Sequence, residues 1–370
     1  MKHTTRLARR RYDAPVRNLT ALAVFVILVP AALARQAQPP PLEQPQQNRQ
    51  HPGQRGAGPG QGMSVEQLRQ LGIDAELDVP YAADDNPRHR LDIYQPSQRN
   101  AEKLPAIVFI HGGGWRQGDK MMGGRRVVPF VRSGNYVGIS VGYRLSDEAI
   151  WPAQIHDVKA AIRFIRANAD KYGIDPQKIG LIGPSAGGHL VLMLGTSGDV
   201  PELEGELGEH VGTSSRVTCV ANLFGVAELG AMVGQESNID RRRADSPEAL
   251  LLGGLISENK EKARQASPVT WITPDDPPVL SVHGDVDRVV PYDQSVRLDK
   301  ALENEGVTSY FVTVRGGGHG DFGDAAAEPL RQFFAKYLLG REVEISEAAI
   351  QKPEGPPPGQ RQGQQQRLDD

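Results

Sequence analysis

Three glycine-rich stretches and one acidic loop hold the residues best suited to covalent chemistry. In Gly183-Pro184-Ser185-Ala186-Gly187-Gly188 a serine stands in a G-x-S-x-G pattern, after the apolar run 179–182 and before Leu190-Val191-Leu192-Met193. A serine held in a sharp strand-to-helix turn has its hydroxyl exposed, and the helix N-terminus favours developing negative charge. His111-Gly112-Gly113-Gly114-Trp115 follows a second apolar run, 106–110. Its glycines let the backbone turn and offer N–H groups, so Gly113 and Gly114, joined by Ala186, are candidates for an oxyanion hole. His319, in Gly316-Gly317-Gly318-His319-Gly320, is the candidate base for Ser185. A base needs a carboxylate that fixes its tautomer. His283-Gly284-Asp285-Val286-Asp287 offers two, Asp285 and Asp287. Together these residues suit acyl transfer through a covalent intermediate.

The elements that must position them follow from hydrophobic patterning. Residues 77–81 and 91–94 alternate polar with apolar, as an antiparallel edge with one wet face would. Residues 106–110, 136–141, 179–182, 217–223, 279–282 and 310–314 are short apolar runs, suited to strands buried on both faces of a parallel sheet. Between them lie helical segments at 153–169, 291–305 and 325–339. In the first, Ile155, Val158, Ile162 and Ile165 recur at helical spacing. Ser64 and Gln67 fit a capping box that opens a short helix. The alternation predicts a doubly wound, mainly parallel α/β sheet flanked by helices. In such sheets ligands bind at the carboxyl ends of strands, and each chemically loaded loop falls just past a predicted strand.

Residues 227–266 break the rhythm and are expected to form a short helical cover over one end of the sheet. Its charges include Glu236, Asp240, Asp245 and the run Arg241-Arg242-Arg243, expected as a solvated face. Trp115 and Tyr143 are candidates to line the pocket mouth, with a packing role as the alternative. His111 is expected to brace the glycine loop, His283 to hold the acid loop, and His189 to be structural. No histidine has a second ligand at metal spacing, so no metal or other cofactor is expected.

The assembled motifs resemble the α/β-hydrolase esterases, in particular the hormone-sensitive-lipase-like and bacterial feruloyl/acetyl-esterase-like group. The resemblance is carried by His111-Gly112-Gly113-Gly114-Trp115 with Gly118-Asp119-Lys120, by Tyr143-Arg144-Leu145, and by the serine motif. It continues through Ser267-Pro268-Val269, His283-Gly284-x-x-Asp287-x-x-Val290-Pro291 and Gly318-His319-Gly320. It covers roughly residues 75–340. It implies an α/β-hydrolase fold and a triad of Ser185, Asp287 and His319, and it selects Asp287 over Asp285. Pro184 departs mildly from the family pattern at a position outside the reaction. The implied activity is hydrolysis of short-chain or aromatic carboxylic esters, on small molecules or on acylated polysaccharide. Two other readings stand beside it: a peptidase of prolyl-oligopeptidase type, and a non-catalytic binding module that keeps the fold.

The chain has 370 residues and a net charge of −3, which suggests neither nucleic acid nor an anionic membrane as partner. Its single cysteine, Cys219, allows no internal disulfide and sits in an apolar run. Lys2, Arg6, Arg9, Arg10, Arg11 and Arg17 precede the apolar stretch 19–33, and Ala32-Leu33-Ala34 fits a small-x-small cleavage site. Residues 1–34 are therefore expected to be a signal peptide and the protein exported, with an uncleaved anchor as the alternative. After cleavage no stable membrane association is expected. Residues 35–63, and the tail 341–370 for most of its length, are rich in Gln, Pro and Gly and read as disordered, leaving 64–340 as the folded domain.

Overall fold

The computed structural model describes residues 62–352 apart from 199, 321 and 323–325. The expected leader and most of the expected linker and tail lie outside the described residues. Nine strands are described: β1 (Ile73–Pro80), β2 (Arg90–Pro96), β3 (Leu104–Ile110), β4 (Val137–Val141), β5 (Ile174–Pro184), β6 (Cys219–Leu223), β7 (Val279–Gly284), β8 (Ser309–Arg315) and β9 (Ile350–Gln351). They form one sheet in the order β1-β2-β4-β3-β5-β6-β7-β8-β9. β2 pairs antiparallel with β1 and β4, and every other pairing is parallel.

The continuous apolar runs became the inner strands. Every residue of β3, β4, β6 and β7 is buried, because helices cover both faces. β1, at the edge, buries only Ile73 and Val79. The α-helices are α1 (Val65–Gln70), α2 (Gly124–Val131), α3 (Ala153–Ala167), α4 (Ala169–Tyr172), α5 (Ala186–Thr196), α6 (Pro201–Glu204), α7 (Pro247–Leu252), α8 (Lys260–Gln265), α9 (Asp293–Asn304) and α10 (Ala327–Leu339). One apolar cluster joins α3, α5, α9 and the cover to one face of the sheet. The other joins α1, α2 and α10 to the opposite face. Ile155, Val158, Ile162 and Ile165 of α3 are all buried, as their spacing requires. The capping box opens α1: Ser64 Oγ accepts from the Gln67 amide, and the Ser64 amide donates to Gln67 Oε1. Cys219 is buried in the second cluster.

Two expectations are corrected here. The folded domain does not end at 340: residues 350–351 add β9 beside β8, Ile345 is buried, and Glu347 Oε1 accepts the Phe311 amide. Composition could not reveal this, because so short a strand is defined by its partner. The cover is also less uniformly solvated than its charges imply. Leu229, Met232, Leu251, Leu252, Ile256 and Ala263 turn into the core, and Arg241 is buried at 4 % exposure while Arg242 and Arg243 stay outside.

β3 connects outward to β4 on one side, and β5 sits on its other side. The carboxyl ends of β3 and β5 therefore flank the point where the strand order reverses, which is where a doubly wound sheet opens a crevice.

Candidate active site

β5 ends at Pro184 and α5 starts at Ala186, so Ser185 alone makes the turn. It does so at φ 54°, ψ −121°, a conformation that L-residues other than glycine rarely adopt. The strain is held by neighbours: the Ser185 amide donates to Leu223 O at the end of β6 (2.9 Å), and Ser185 O accepts from the His189 amide (2.9 Å). The turn is tight enough that a Cβ on Gly187 would lie 2.1 Å from Ile110 O, so only glycine fits between α5 and the end of β3.

His319 reaches this serine from the loop after β8. Its Nε2 accepts from the Ser185 hydroxyl at 3.0 Å, and its Nδ1–H donates to Asp287 Oδ2 at 2.7 Å. The three candidates, 134 residues apart at the extremes, thus form one hydrogen-bonded relay. Ser185 and His319 are half-buried, while the Asp287 side chain is fully buried. Burial by itself would raise the Asp287 carboxyl. Hydrogen bonds from His283, His319 and the Val289 amide outweigh it and hold the group well below the usual carboxylate range. Asp287 is therefore the anion that a histidine base needs.

The second aspartate does other work. Asp285 Oδ1 accepts the Gly316 amide at 2.7 Å, pinning the start of the loop that carries His319. His283 holds the acid loop, as its position suggested: Nδ1 accepts from Ser295 Oγ (2.7 Å), and Nε2–H is shared between Val290 O (2.9 Å) and Asp287 Oδ2 (3.3 Å).

The glycine loop after β3 lies against the serine. A Cβ on Gly112 would sit 2.8 Å from Pro184 O and 3.4 Å from Ser185 Cβ. Gly113, Gly114 and Trp115 all have positive φ, at 114°, 61° and 56°. Gly113 tolerates no side chain, since a Cβ would meet Gln117 O at 2.1 Å. His111 braces this turn by donating from Nδ1 to Gly112 O (2.8 Å), and burial lowers its pKa to about 4, so the ring is neutral. Arg88 donates to Gly118 O and fixes the far end. Ala186, as the first residue of α5, has an N–H without an intrahelical acceptor.

Trp115 and Tyr143 do not line an open mouth. They are 1 % and 0 % exposed. Tyr143 stacks on His111 with ring centroids 4.2 Å apart and donates its hydroxyl to His111 O. Trp115 Nε1–H donates to His189 Nδ1 at 3.2 Å, and His189 Nε2–H in turn donates to Ala266 O at 2.6 Å. Both aromatics are supports beneath the glycine loop, because glycines on the surface leave the following aromatic to fill the space below. Sequence reasoning missed Phe224, which follows β6 at φ 44° and lays its ring edge-on to His319 with centroids 4.7 Å apart. The rule that loaded residues fall just past strands would have found it. It also missed the pairing of Arg241 with Glu248 in the cover and the bond from Arg241 to Val289 O, 48 residues away. Among the described residues no group of three His, Cys, Asp or Glu side chains is placed to hold a metal ion.

A strained serine between β5 and α5, a glycine loop after β3, and an Asp–His pair on the loops after β7 and β8 define an α/β hydrolase. The chain belongs to the BD-FAE family, whose profile matches residues 91–302, and a profile described as TAP-like protein matches residues 258–348. Esterase LipC of Mycobacterium tuberculosis is 32% identical over 240 residues, which are 64% of this chain and 58% of LipC. The chain thus spans little more than half the length of that relative. A truncated form of a carbohydrate esterase from gut microbiota superposes with a TM-score of 0.67 at 36% identity, covering 72% of this chain and 96% of that one. Esterase 2 of Thermogutta terrifontis, in a form phosphonylated by sarin, gives a TM-score of 0.58 at 29% identity, covering 73% of this chain and 97% of that one.

Proposed function

We propose that this protein is a serine carboxylesterase, and the observation that carries the reading is the Asp287–His319–Ser185 relay at 2.7 and 3.0 Å. Ser185 Oγ attacks an ester carbonyl while His319 Nε2 takes its proton. Asp287 stabilises the imidazolium that results. The Gly113, Gly114 and Ala186 amides receive the tetrahedral oxyanion. The imidazolium then gives its proton to the alcohol oxygen as the C–O bond breaks. Water, activated by the same histidine, hydrolyses the acyl-enzyme and returns Ser185 to its free form.

The substrate class is short-chain or aromatic carboxylic esters, including those on acylated polysaccharide. Three observations support this. A similar structure is described as a carbohydrate esterase. A cavity of about 340 Å³ reaches Phe224 and Gly320, the ring neighbour and chain neighbour of His319, and is of modest size with a mixed lining, Phe322 and Leu330 on its apolar part and Arg125, Arg126 and Arg331 on its polar part. The cover buries most of its apolar side chains, exposing only Val233 and Leu250 among the large ones, and carries Asp240, Arg242, Arg243 and Asp245 on its outer side, which leaves little to settle on a lipid droplet. The basic, apolar leader favours export, where such polymers are met.

The test is a panel of acetyl, feruloyl and long-chain nitrophenyl esters, run with a fluorophosphonate probe on the wild type and on Ser185→Ala. The expected result is turnover of acetyl or feruloyl esters, labelling of the wild type alone, and no jump in rate on emulsified triolein. A wild type that neither labels nor turns over any ester overturns the proposal.

A further inference from the structure

We propose that Arg241 of the cover, clamped by Glu248, is a positioning residue for Asp287, acting through the peptide groups of residues 288–290. The inference rests on the esterase reading above. It starts from the one arginine of the run that is not solvated. Arg241 Nε–H donates to Glu248 Oε1 (3.1 Å), and both side chains are buried. One terminal nitrogen donates to Val289 O (2.6 Å), the other to Ile239 O (3.4 Å).

Val289 O and the Val290 N–H belong to one peptide group. That N–H donates to Asp287 Oδ1 at 3.0 Å. The preceding peptide repeats the pattern: Arg288 O accepts from the Asn238 amide (2.7 Å) and Ser237 Oγ (2.9 Å), and its Val289 N–H donates to Asp287 Oδ1 at 2.7 Å. Both amides that hold the carboxylate are therefore polarised from behind by donors of the cover. A donor on the carbonyl oxygen strengthens the bond its N–H makes, and here the donor on one of them is a buried cation.

Stability alone gives no reason for this arrangement. Burying an ion pair costs desolvation that the pair's attraction roughly cancels, so a buried pair is weak support for a fold. Glu248 Oε2, moreover, is buried without a partner. What the pair achieves is a fixed cation at Val289 O. The other charged or titratable groups around the acid are accounted for. His283 and His319 touch Asp287 directly, Asp285 faces Gly316 and Arg315, and Arg288 pairs outward with Glu236.

The experiment measures kcat, KM and the pH–rate profile of the full-length protein on a nitrophenyl acetate, with active sites counted by fluorophosphonate titration. The variants are Arg241→Met/Glu248→Leu, which leaves no unpaired buried charge, Arg241→Lys, and Arg242→Ala as control. The expected result for the double variant is a kcat lower by about 10- to 100-fold per titrated site, with KM nearly unchanged. The acid limb of its profile should also move to lower pH, because a carboxylate no longer fixed against His319 Nδ1–H stabilises the imidazolium less. Arg241→Lys should recover part of both effects, and Arg242→Ala should match the wild type. An unchanged kcat per site overturns the inference, as does a loss confined to KM. A lower kcat with an unmoved acid limb also overturns it, since general loosening would do that. If the double variant does not fold, the limb in Arg241→Lys decides in the same way. A wild type that neither labels nor turns over ester would instead overturn the esterase reading itself.

Discussion

The turn at Ser185 and the cover at 227–266 meet over the same crevice, yet they are held by different means. At the turn, backbone touches backbone. Ser185 is bound through its amide and carbonyl, and Gly187 and Gly113 sit where a single Cβ would collide with a carbonyl oxygen. In the cover side chains carry much of the tying, beside a few backbone bonds such as the Asn238 amide to Arg288 O: Arg241 to Glu248 and Val289 O, Gln294 Oε1 accepting the Ala227 and Glu228 amides, Ser267 Oγ accepting the Leu229 amide, and Trp151 Nε1–H donating to Gln265 Oε1. The difference teaches that one half of the site is specified by the absence of side chains and the other by their chemistry. The first should fail when atoms are added, the second when polar atoms are exchanged.

The largest effect expected separates chemistry from geometry at the turn. Ser185→Ala keeps the backbone contacts and removes the nucleophile, so kcat should fall by roughly 10⁴- to 10⁶-fold while the melting temperature holds. Substantial ester turnover in the purified variant would show that the strained turn serves something other than nucleophilic attack.

Next comes the side-chain half. Asp287→Asn retains shape but offers an amide where His319 Nδ1–H needs an acceptor. A kcat lower by about 10⁴-fold with a folded protein is expected, since the wrong tautomer is favoured. Near wild-type turnover by this variant would remove Asp287 from the relay.

Adding one carbon at the turn should cost stability instead. Gly187→Ala places a methyl 2.1 Å from Ile110 O, and backbone on both sides leaves no room to yield. Destabilisation of about 3 kcal/mol is expected, at the upper end for overpacking. Urea unfolding checks it, and an unchanged midpoint would mean that the contact relaxes freely.

Acid should act on the joint between the two halves. His111 and His189 are buried, and that burial lowers both from the ordinary 6.5 to about 4. Between these values the unfolded chain binds protons that the folded protein refuses. Stability from these groups is therefore full above pH 6.5 and is lost as pH falls towards about 4. Protonating His189 Nδ1 would also set two N–H groups against each other at Trp115. At pH 5 unfolding should take up about two protons at these rings, offset by about one that Asp276, raised by burial to about 6, releases, so the slope of stability against pH should show a net uptake of about one. A flat slope across that window would contradict the neutral state of both rings.

The smallest effect sharpens the comparison within one loop. Asp285→Asn keeps an oxygen for the Gly316 amide, so activity should change by less than about 10-fold. A collapse of kcat as deep as that of Asp287→Asn would mean that the loop after β8 depends on the charge of Asp285.

Much of this site was legible in the sequence because its signals are local. Strand runs, the glycines about Ser185 and the loop from His111 each encode their own turn, and topology then carries them to one crevice. The departures are all non-local. Trp115 and Tyr143 have the composition of a pocket lining, but what decides their place is His189 and His111 beneath the loop. Arg241 reads like Arg242 and Arg243, and only Glu248 and the Val289 carbonyl distinguish it. The β9 segment has no pattern of its own and exists through pairing with β8.

The amino-acid sequence by itself determined the alternation of strand and helix, the order of the loaded loops and the candidates Ser185 and His319, since periodicity and glycine placement act over a few residues, while the choice of Asp287 over Asp285 came from the family resemblance. Only the tertiary structure decided which aromatics are buried, which arginine is buried and that the fold runs past residue 340 into β9. Those outcomes depend on partners dozens of residues away, brought near by packing whose energies are summed over the whole core.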